Sequence, residues 1–93
     1  MYHEKREELS EKTRNMKRSI DSLKEELDAI NWYNERIDVC KDEELRKILQ
    51  HNAKEEKEHS AMLLEWIRRN DPEFDGELKD YLFTEKEIAE DKD

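Results

Sequence analysis

The sequence predicts an all-α protein, and three observations support this fold class. The 93 residues include one glycine and one proline, the usual turn residues of sheet proteins, against many Glu, Lys, Arg and Leu residues that favour helices. Apolar residues recur at steps of three and four along two long segments, the spacing that keeps side chains on one helix face. Residues typical of helix starts lie between these segments. We therefore expect an antiparallel hairpin of two long helices, followed by a short third helix.

The first long helix is predicted from about Glu7 to Asp38. Its apolar side chains form a seam with heptad spacing, made by Leu9, Met16, Ile20, Leu23, Leu27, Ile30 and Ile37. Such a seam packs along its length against other helices at a shallow angle. Glu26 falls at the edge of the seam and can turn inward. Trp32 projects to the far side with Glu25 and Asp28, which indicates a second contact surface because large exposed aromatic residues are sparse on monomers.

The second long helix is predicted from about Asp42 to Arg69, since Asp42 precedes two glutamates that favour the first turn of a helix. Asp71 and Pro72 predict the start of the third helix, with Asp71 as its N-cap and Pro72 in the first helical position. The apolar face of this helix is Phe74, Leu78, Tyr81 and Leu82. We expect one domain over residues 1–83 and a charged, flexible tail over residues 84–93.

Size and charge limit what such a chain can do. A single domain of this length has little core, and the lone Cys40 excludes an internal disulfide, so stability is expected from metal binding or oligomerisation. We interpret Cys40 as structural rather than reactive. A net charge of −9 repels nucleic acid and anionic membranes and attracts cations. No apolar run is long enough to span a bilayer, so a soluble, cytoplasmic protein is expected.

Polar residues interrupt the apolar stripe of the second helix. The stripe is formed by Leu45, Leu49, Leu63 and Trp66, and its missing steps are Asn52, Glu56 and His59. Glu56 lies near the centre of the stripe and His59 one turn further on. Because an ionised carboxylate is buried only when it is paired or binds a metal, these two side chains are candidate metal ligands.

Glu26, Glu56 and His59 together make half of a two-iron carboxylate site. Such a site in a four-helix bundle takes one Glu from each of two helices and a Glu-x-x-His from each of the other two. Two copies of this chain related by a two-fold axis would supply the full set. Carboxylates suit Fe(II) and can bridge two ions, while a neutral imidazole completes each coordination sphere.

Two other interpretations stay open at this point. In the first, the chain is a non-catalytic helical dimerisation or adaptor module, and a polar layer of Asn52, Glu56 and His59 only sets register. In the second, it is a di-metal carboxylate protein of peroxidase type. His3 and His51 fall outside the stripe and are interpreted as surface residues.

Three stretches carry a family resemblance: EELDAINWYNER at residues 25–36, HNAKEEKEHSAMLLEWIRR at residues 51–69, and YLFTE at residues 81–85. The chain resembles the encapsulated ferritins over nearly all of its length. The resemblance implies a half-ferritin protomer whose two-fold dimer forms a four-helix bundle, with dimers assembling into an annular homodecamer. It also implies that the ring has no cavity for mineral and works as cargo inside an encapsulin shell, a cytoplasmic nanocompartment.

The same resemblance implies a function and assigns residues to it. The activity would be that of a ferroxidase, which oxidises Fe(II) with dioxygen for iron storage, at two irons per dimer interface. The iron ligands and catalytic residues would be Glu26, Glu56 and His59, with Trp32 and Tyr33 nearby. Metal ions would enter at an acidic site formed by Glu25 and Asp28, and calcium would be able to substitute at such acidic sites.

Overall fold

The computed structural model describes residues 1–89 and contains three α-helices: α1 at Glu11–Val39, α2 at Glu43–Asn70 and α3 at Pro72–Tyr81. A short 3-10 turn at Arg6–Glu8 precedes them. A break of three residues, 40–42, lets α2 fold back along α1 as an antiparallel hairpin, and α3 packs on the end of α2. No strand occurs within residues 1–89. The predicted all-α class is therefore confirmed.

The start of α1 differs from the prediction by four residues. The helix begins at Glu11 and not near Glu7, because Ser10 is extended and its side chain accepts a hydrogen bond from the Thr13 N–H at 3.1 Å. Leu9 is also extended. The residues before Ser10 favour helices by composition, but an N-cap fixes where the helix starts.

The predicted starts of α2 and α3 are confirmed. Asp42 caps α2 by accepting a hydrogen bond from the Leu45 N–H at 2.8 Å. Asp71 is at once the residue that ends α2 and the N-cap of α3, and its side chain accepts from the Phe74 N–H at 3.0 Å. Pro72 occupies the first helical position, where its missing N–H costs no hydrogen bond.

Two neighbouring seams run along α2. The buried seam faces α1 and includes Ala53, Ser60 and Ile67, of which Ala53 is buried, Ile67 is fully buried and Ser60 is half-buried. The exposed seam lies beside it, and its apolar members are 38–64% exposed: Leu45, Ile48, Met62 and Trp66. Within this one chain α1 covers the predicted stripe from Leu45 to Trp66 only in part, and Leu45 and Trp66 stay exposed. Apolar residues cover more of the helix circumference than one partner helix can bury, and α1 covers only one of the two seams.

The end of α2 is tied to α3 by one arginine. Arg68 donates from Nε and Nη2 to the two carboxylate oxygens of Glu65, both at 2.7 Å, and from Nη1 to Asp75 Oδ1 at 2.6 Å. Lys79 adds a contact to Asp75 at 3.0 Å. The Arg68–Asp75 contact joins α3 to the end of α2, and Glu65 and Lys79 each pair with one of these two side chains.

The chain beyond α3 contains no helix from residue 82 to residue 89. Part of the predicted tail, residues 90–93, lies outside the described residues. Among the helices that the structure describes, none combines the length and the apolar character needed to cross a bilayer.

Candidate metal centre

Three potential metal ligands converge at the middle of the hairpin. Glu26 comes from α1, Glu56 and His59 come from α2, and one ligand atom from each lies within 4.8 Å of the others. Nδ1 of His59 is 3.5 Å from Oε2 of Glu26 and 3.8 Å from Oε2 of Glu56. The structure thus brings together the three residues that the sequence singled out.

The two seams of α2 explain how the cluster is placed. Glu56 belongs to the buried seam, whereas His59, three residues later, follows the spacing of the exposed seam. Side chains three apart on a helix are neighbours, so both reach the same point in space. Glu26 approaches that point from α1. The cluster therefore lies where the interior of the hairpin meets its exposed side, and the His59 side chain is 48% exposed.

The electrostatics of the cluster favour a cation. Glu26 and Glu56 are about three-quarters buried as side chains, at 25% and 24% exposure. Oε2 of Glu26 is buried and accepts no hydrogen bond. Within residues 1–89 neither carboxylate forms an ion pair with a lysine or arginine; the nearest basic group is the His59 ring. Half-buried carboxylates without a cationic partner are costly, and a metal ion removes that cost.

The donor set restricts which ions fit. Two carboxylates and one imidazole suit first-row divalent ions such as Fe(II), Mn(II) and Zn(II), whereas Ca²⁺ prefers oxygen donors alone. Three protein donors leave coordination positions open, because iron and manganese usually take more ligands than three. An ion bound by these three donors would have room for further ligands on the exposed side of the cluster, where the His59 side chain lies.

Trp32 and Tyr33 occupy different surroundings. Trp32 is 57% exposed on the side of α1 that faces away from α2. Tyr33 is half-buried, two helical turns after Glu26 and on the same face, with the Arg36 guanidinium 5.7 Å from its ring centre. Tyr33 therefore shares the ligand side of α1, and Trp32 does not.

Glu25 and Asp28 stand apart from the cluster. Both are exposed, and they line a cleft of about 380 Å³ together with His3, Lys17 and Lys24. His3 is exposed, as predicted, and the sequence contains no indication that it lies at this cleft, since His3 precedes α1 and has no helical periodicity. His51 is exposed as expected, and its Nε2 lies 2.5 Å from Oε1 of Glu55.

Comparison with known proteins decides the family. The profile of the EncFtn-like family matches residues 1–85 of the chain. The chain belongs to the EncFtn-like family. The resemblance to encapsulated ferritins, inferred above from residues 25–36, 51–69 and 81–85, is thereby confirmed.

Two relatives of this EncFtn-like chain share slightly more than half of its residues. It is 55% identical to a ferritin-like protein of Thermotoga maritima over 89 residues, which cover 96% of this chain and 78% of that protein. It is 54% identical to an encapsulated ferritin-like protein of Rhodospirillum rubrum, covering 94% of this chain and 62% of that one. The chain thus spans less than two thirds of the R. rubrum protein.

A solved structure shares the fold. The crystal structure of protein ne0167 from Nitrosomonas europaea matches with a TM-score of 0.91 and 64% sequence identity, covering 96% of this chain and 98% of that one. The hairpin with a short third helix is therefore an architecture that close relatives adopt.

Proposed function

We propose that this EncFtn-like chain is the subunit of a ferroxidase, which binds Fe(II) at Glu26, Glu56 and His59 and oxidises it with dioxygen. The observation that carries the proposal is the convergence of these three donors, which have no lysine or arginine partner within residues 1–89. Iron is the substrate, and Fe(III) is passed on for storage. The name of the R. rubrum relative, an encapsulated ferritin-like protein, supports a role in iron chemistry within a shell.

The residues of the site explain how it would favour oxidation. Two carboxylates place negative charge beside the bound ion. This charge stabilises Fe(III) more than Fe(II), because the Coulomb attraction grows with the charge of the ion. Each iron gives up one electron, and dioxygen accepts the electrons and takes up protons. Partial burial of Glu26 and Glu56 strengthens the effect, since the local dielectric is lower than that of water.

A second copy of the chain would complete the site. The exposed seam of α2 carries His59 among Leu45, Ile48, Met62 and Trp66, so the open side of the cluster is framed by unburied apolar side chains. Exposed apolar patches of this kind mark interaction surfaces. A two-fold related hairpin packed on this seam gives four helices, four glutamates and two histidines around a pair of irons. Dimers of this kind are expected to assemble into an annular decamer.

We expect the protein to be localised inside an encapsulin nanocompartment in the cytoplasm. The relative from R. rubrum is named as encapsulated, and a subunit with so little interior of its own gains stability from assembly. The shell protein would then retain the mineral that an open ring has no room to hold.

An anaerobic titration with Fe(II), followed by air, tests the proposal. Absorbance in the near ultraviolet should rise and saturate at about one iron per chain, because two chains share a two-iron site. Saturation at this ratio separates a built site from loose binding to the acidic surface. No rise above that of buffer contradicts the proposal and favours the adaptor interpretation, in which the polar residues only set register.

A further inference from the structure

A serine lies at the centre of the buried seam of α2. Ala53 and Ile67, seven residues before and after Ser60, are 4% and 0% exposed, so Ser60 holds the position between them that faces α1. Its hydroxyl donates a hydrogen bond to the main-chain oxygen of Glu56 at 2.9 Å. The hydroxyl therefore has its hydrogen-bond partner within α2 and needs no acceptor on α1.

The turn closed by Ser60 is the turn that carries the candidate ligands. Glu56 and His59 both belong to it, and Glu26 reaches it from α1, with Oε2 at 3.5 Å from Nδ1 of His59. That Glu26 oxygen is buried. Protein interiors are close-packed, so a carboxylate enters between two helices only where the facing side chains leave room. At this level of the hairpin the residue that faces α1 is small.

We propose that Ser60 is a positioning residue for the metal centre. Its small side chain leaves the space between α1 and α2 into which the Glu26 carboxylate extends. A leucine here would continue the apolar seam from Ala53 to Ile67 and displace Glu26 outward, away from His59. The inference rests on the proposed function of the three ligands and adds the residue that allows them to meet.

The experiment compares Ser60→Leu with Ser60→Ala in Co(II) binding, followed by visible absorbance, which reports both affinity and coordination geometry. Ser60→Leu should weaken Co(II) binding by about 10- to 100-fold, the range typical of residues that support metal ligands, and should change the spectrum. Ser60→Ala keeps the space and should stay within about threefold of the wild type, a smaller change than that range. Ala61→Leu is the matched control, because it adds the same side chain at the neighbouring, exposed position.

Thermal unfolding of the metal-free proteins separates positioning from damage to the fold. Ser60→Leu adds apolar surface between the buried Ala53 and Ile67, and the displaced Glu26 carboxylate leaves room for it, so its melting temperature should stay at or above that of the wild type while Co(II) affinity falls. Wild-type affinity and spectrum in Ser60→Leu would overturn the inference, and so would equal losses in Ser60→Ala and Ser60→Leu. In both of those cases the wild type still binds Co(II) and the proposed function stands. A wild-type protein that binds no Co(II) and oxidises no Fe(II) would overturn both.

Discussion

Two clusters of charged side chains, both attached to α2, use their carboxylates in opposite ways. At the junction with α3, Glu65 and Asp75 are held by Arg68 at 2.6–2.7 Å, and Arg69 and Lys79 add further contacts at 2.6 and 3.0 Å. Hydrogen bonds from Arg68 and then Arg69 lower the pKa of Glu65 to about 2. Hydrogen bonds from Arg68 and Lys79 likewise hold the pKa of Asp75 below its usual range.

Within residues 1–89 the candidate metal centre contains no such partner. Glu26 and Glu56 are less exposed than Glu65, yet their nearest basic group is a histidine at 3.5 and 3.8 Å. The carboxylates at the junction are paired with arginine and lysine of the same chain, whereas those at the centre are paired with neither among the described residues. The contrast teaches that the number of acidic residues says little about metal binding, and that the absence of a nearby arginine or lysine says more.

The largest effect is expected from removing the ligands. Glu26→Ala, Glu56→Ala and His59→Ala should each reduce Fe(II) oxidation to the rate in buffer, because each substitution removes a donor from both halves of a two-fold symmetric site. Stopped-flow absorbance after mixing with Fe(II) in air measures the rate. Asp75→Ala is the control, since it removes an equally acidic residue at the junction and should keep the wild-type rate. A well-folded ligand variant that oxidises iron like the wild type would show the assignment to be wrong.

Metal should also control assembly, since a site shared between chains exists only in the dimer. An ion that binds the site stabilises the dimer by about 2.7 kcal/mol at a hundredfold excess over its dissociation constant. Native mass spectrometry and sizing chromatography should therefore find larger species after addition of Fe(II) than in metal-free protein. Glu56→Ala should abolish the shift. An unchanged mass in the dilute wild-type protein, with and without metal, would contradict a ligand set divided between two chains.

A smaller effect on iron chemistry is expected from Trp32, which is remote from both clusters. Trp32→Ala should weaken the ring and leave dimers, because a large exposed indole typically dominates an interface, and iron oxidation should suffer less than in Glu56→Ala. Val39→Ala is a matched control, as it truncates another exposed apolar residue of α1. Sizing at micromolar concentration gives the result. Intact decamers of the Trp32 variant would assign the second interface to other residues.

The smallest effect is expected from low pH, which should weaken the ion pairs at the junction between α2 and α3. The pKa of Glu65 in the folded chain, about 2, lies below its ordinary value of 4.5. Its stabilising contribution is therefore complete above pH 4.5 and is lost as the pH falls toward about 2. Asp75, whose pKa is also lowered, accepts the Arg68 hydrogen bond that joins α3 to α2, so amide hydrogen exchange should show α3 protected at pH 4.5 and opening as the pH falls toward about 2. Arg68→Met removes the donor shared by Glu65 and Asp75 and should weaken this pH dependence, while Arg69 still contacts Glu65. Loss of α3 protection already at pH 4.5 in the wild type would contradict the ion-pair account.

Local sequence signals were enough to predict much of the fold. Asp42, Asp71 and Pro72 act through residues within one turn of themselves, so the helix starts that they predict are confirmed. The meeting of Glu26 with Glu56 and His59 followed from helical spacing on each helix and from the hairpin connection. In these cases the physical cause is contained in a few neighbouring residues.

Features that depend on the partner helix were harder to predict. Periodicity alone predicts the stripe that holds Leu45 and Trp66, but it does not show that α1 leaves these two side chains exposed. The small residue Ser60 gains meaning only once Ala53 and Ile67 are known to be buried on either side of it. The contact between Arg68 and Asp75 depends on the angle between α2 and α3, which no local pattern specifies.

Asp71 is the single residue of the chain between α2 and α3, so its backbone angles control where α3 points. The direction of α3 is set by the two backbone angles of one residue, φ −141° and ψ 96°. With 10 residues, α3 is a lever about 15 Å long, so a rotation of about 20° at the joint moves its far end by about 5 Å. The Arg68 contacts act close to the pivot, where the same rotation displaces atoms least. A small change in the φ or ψ angle of Asp71 would therefore shift Tyr81 and the residues after it, while the hairpin and its candidate ligands would keep their positions.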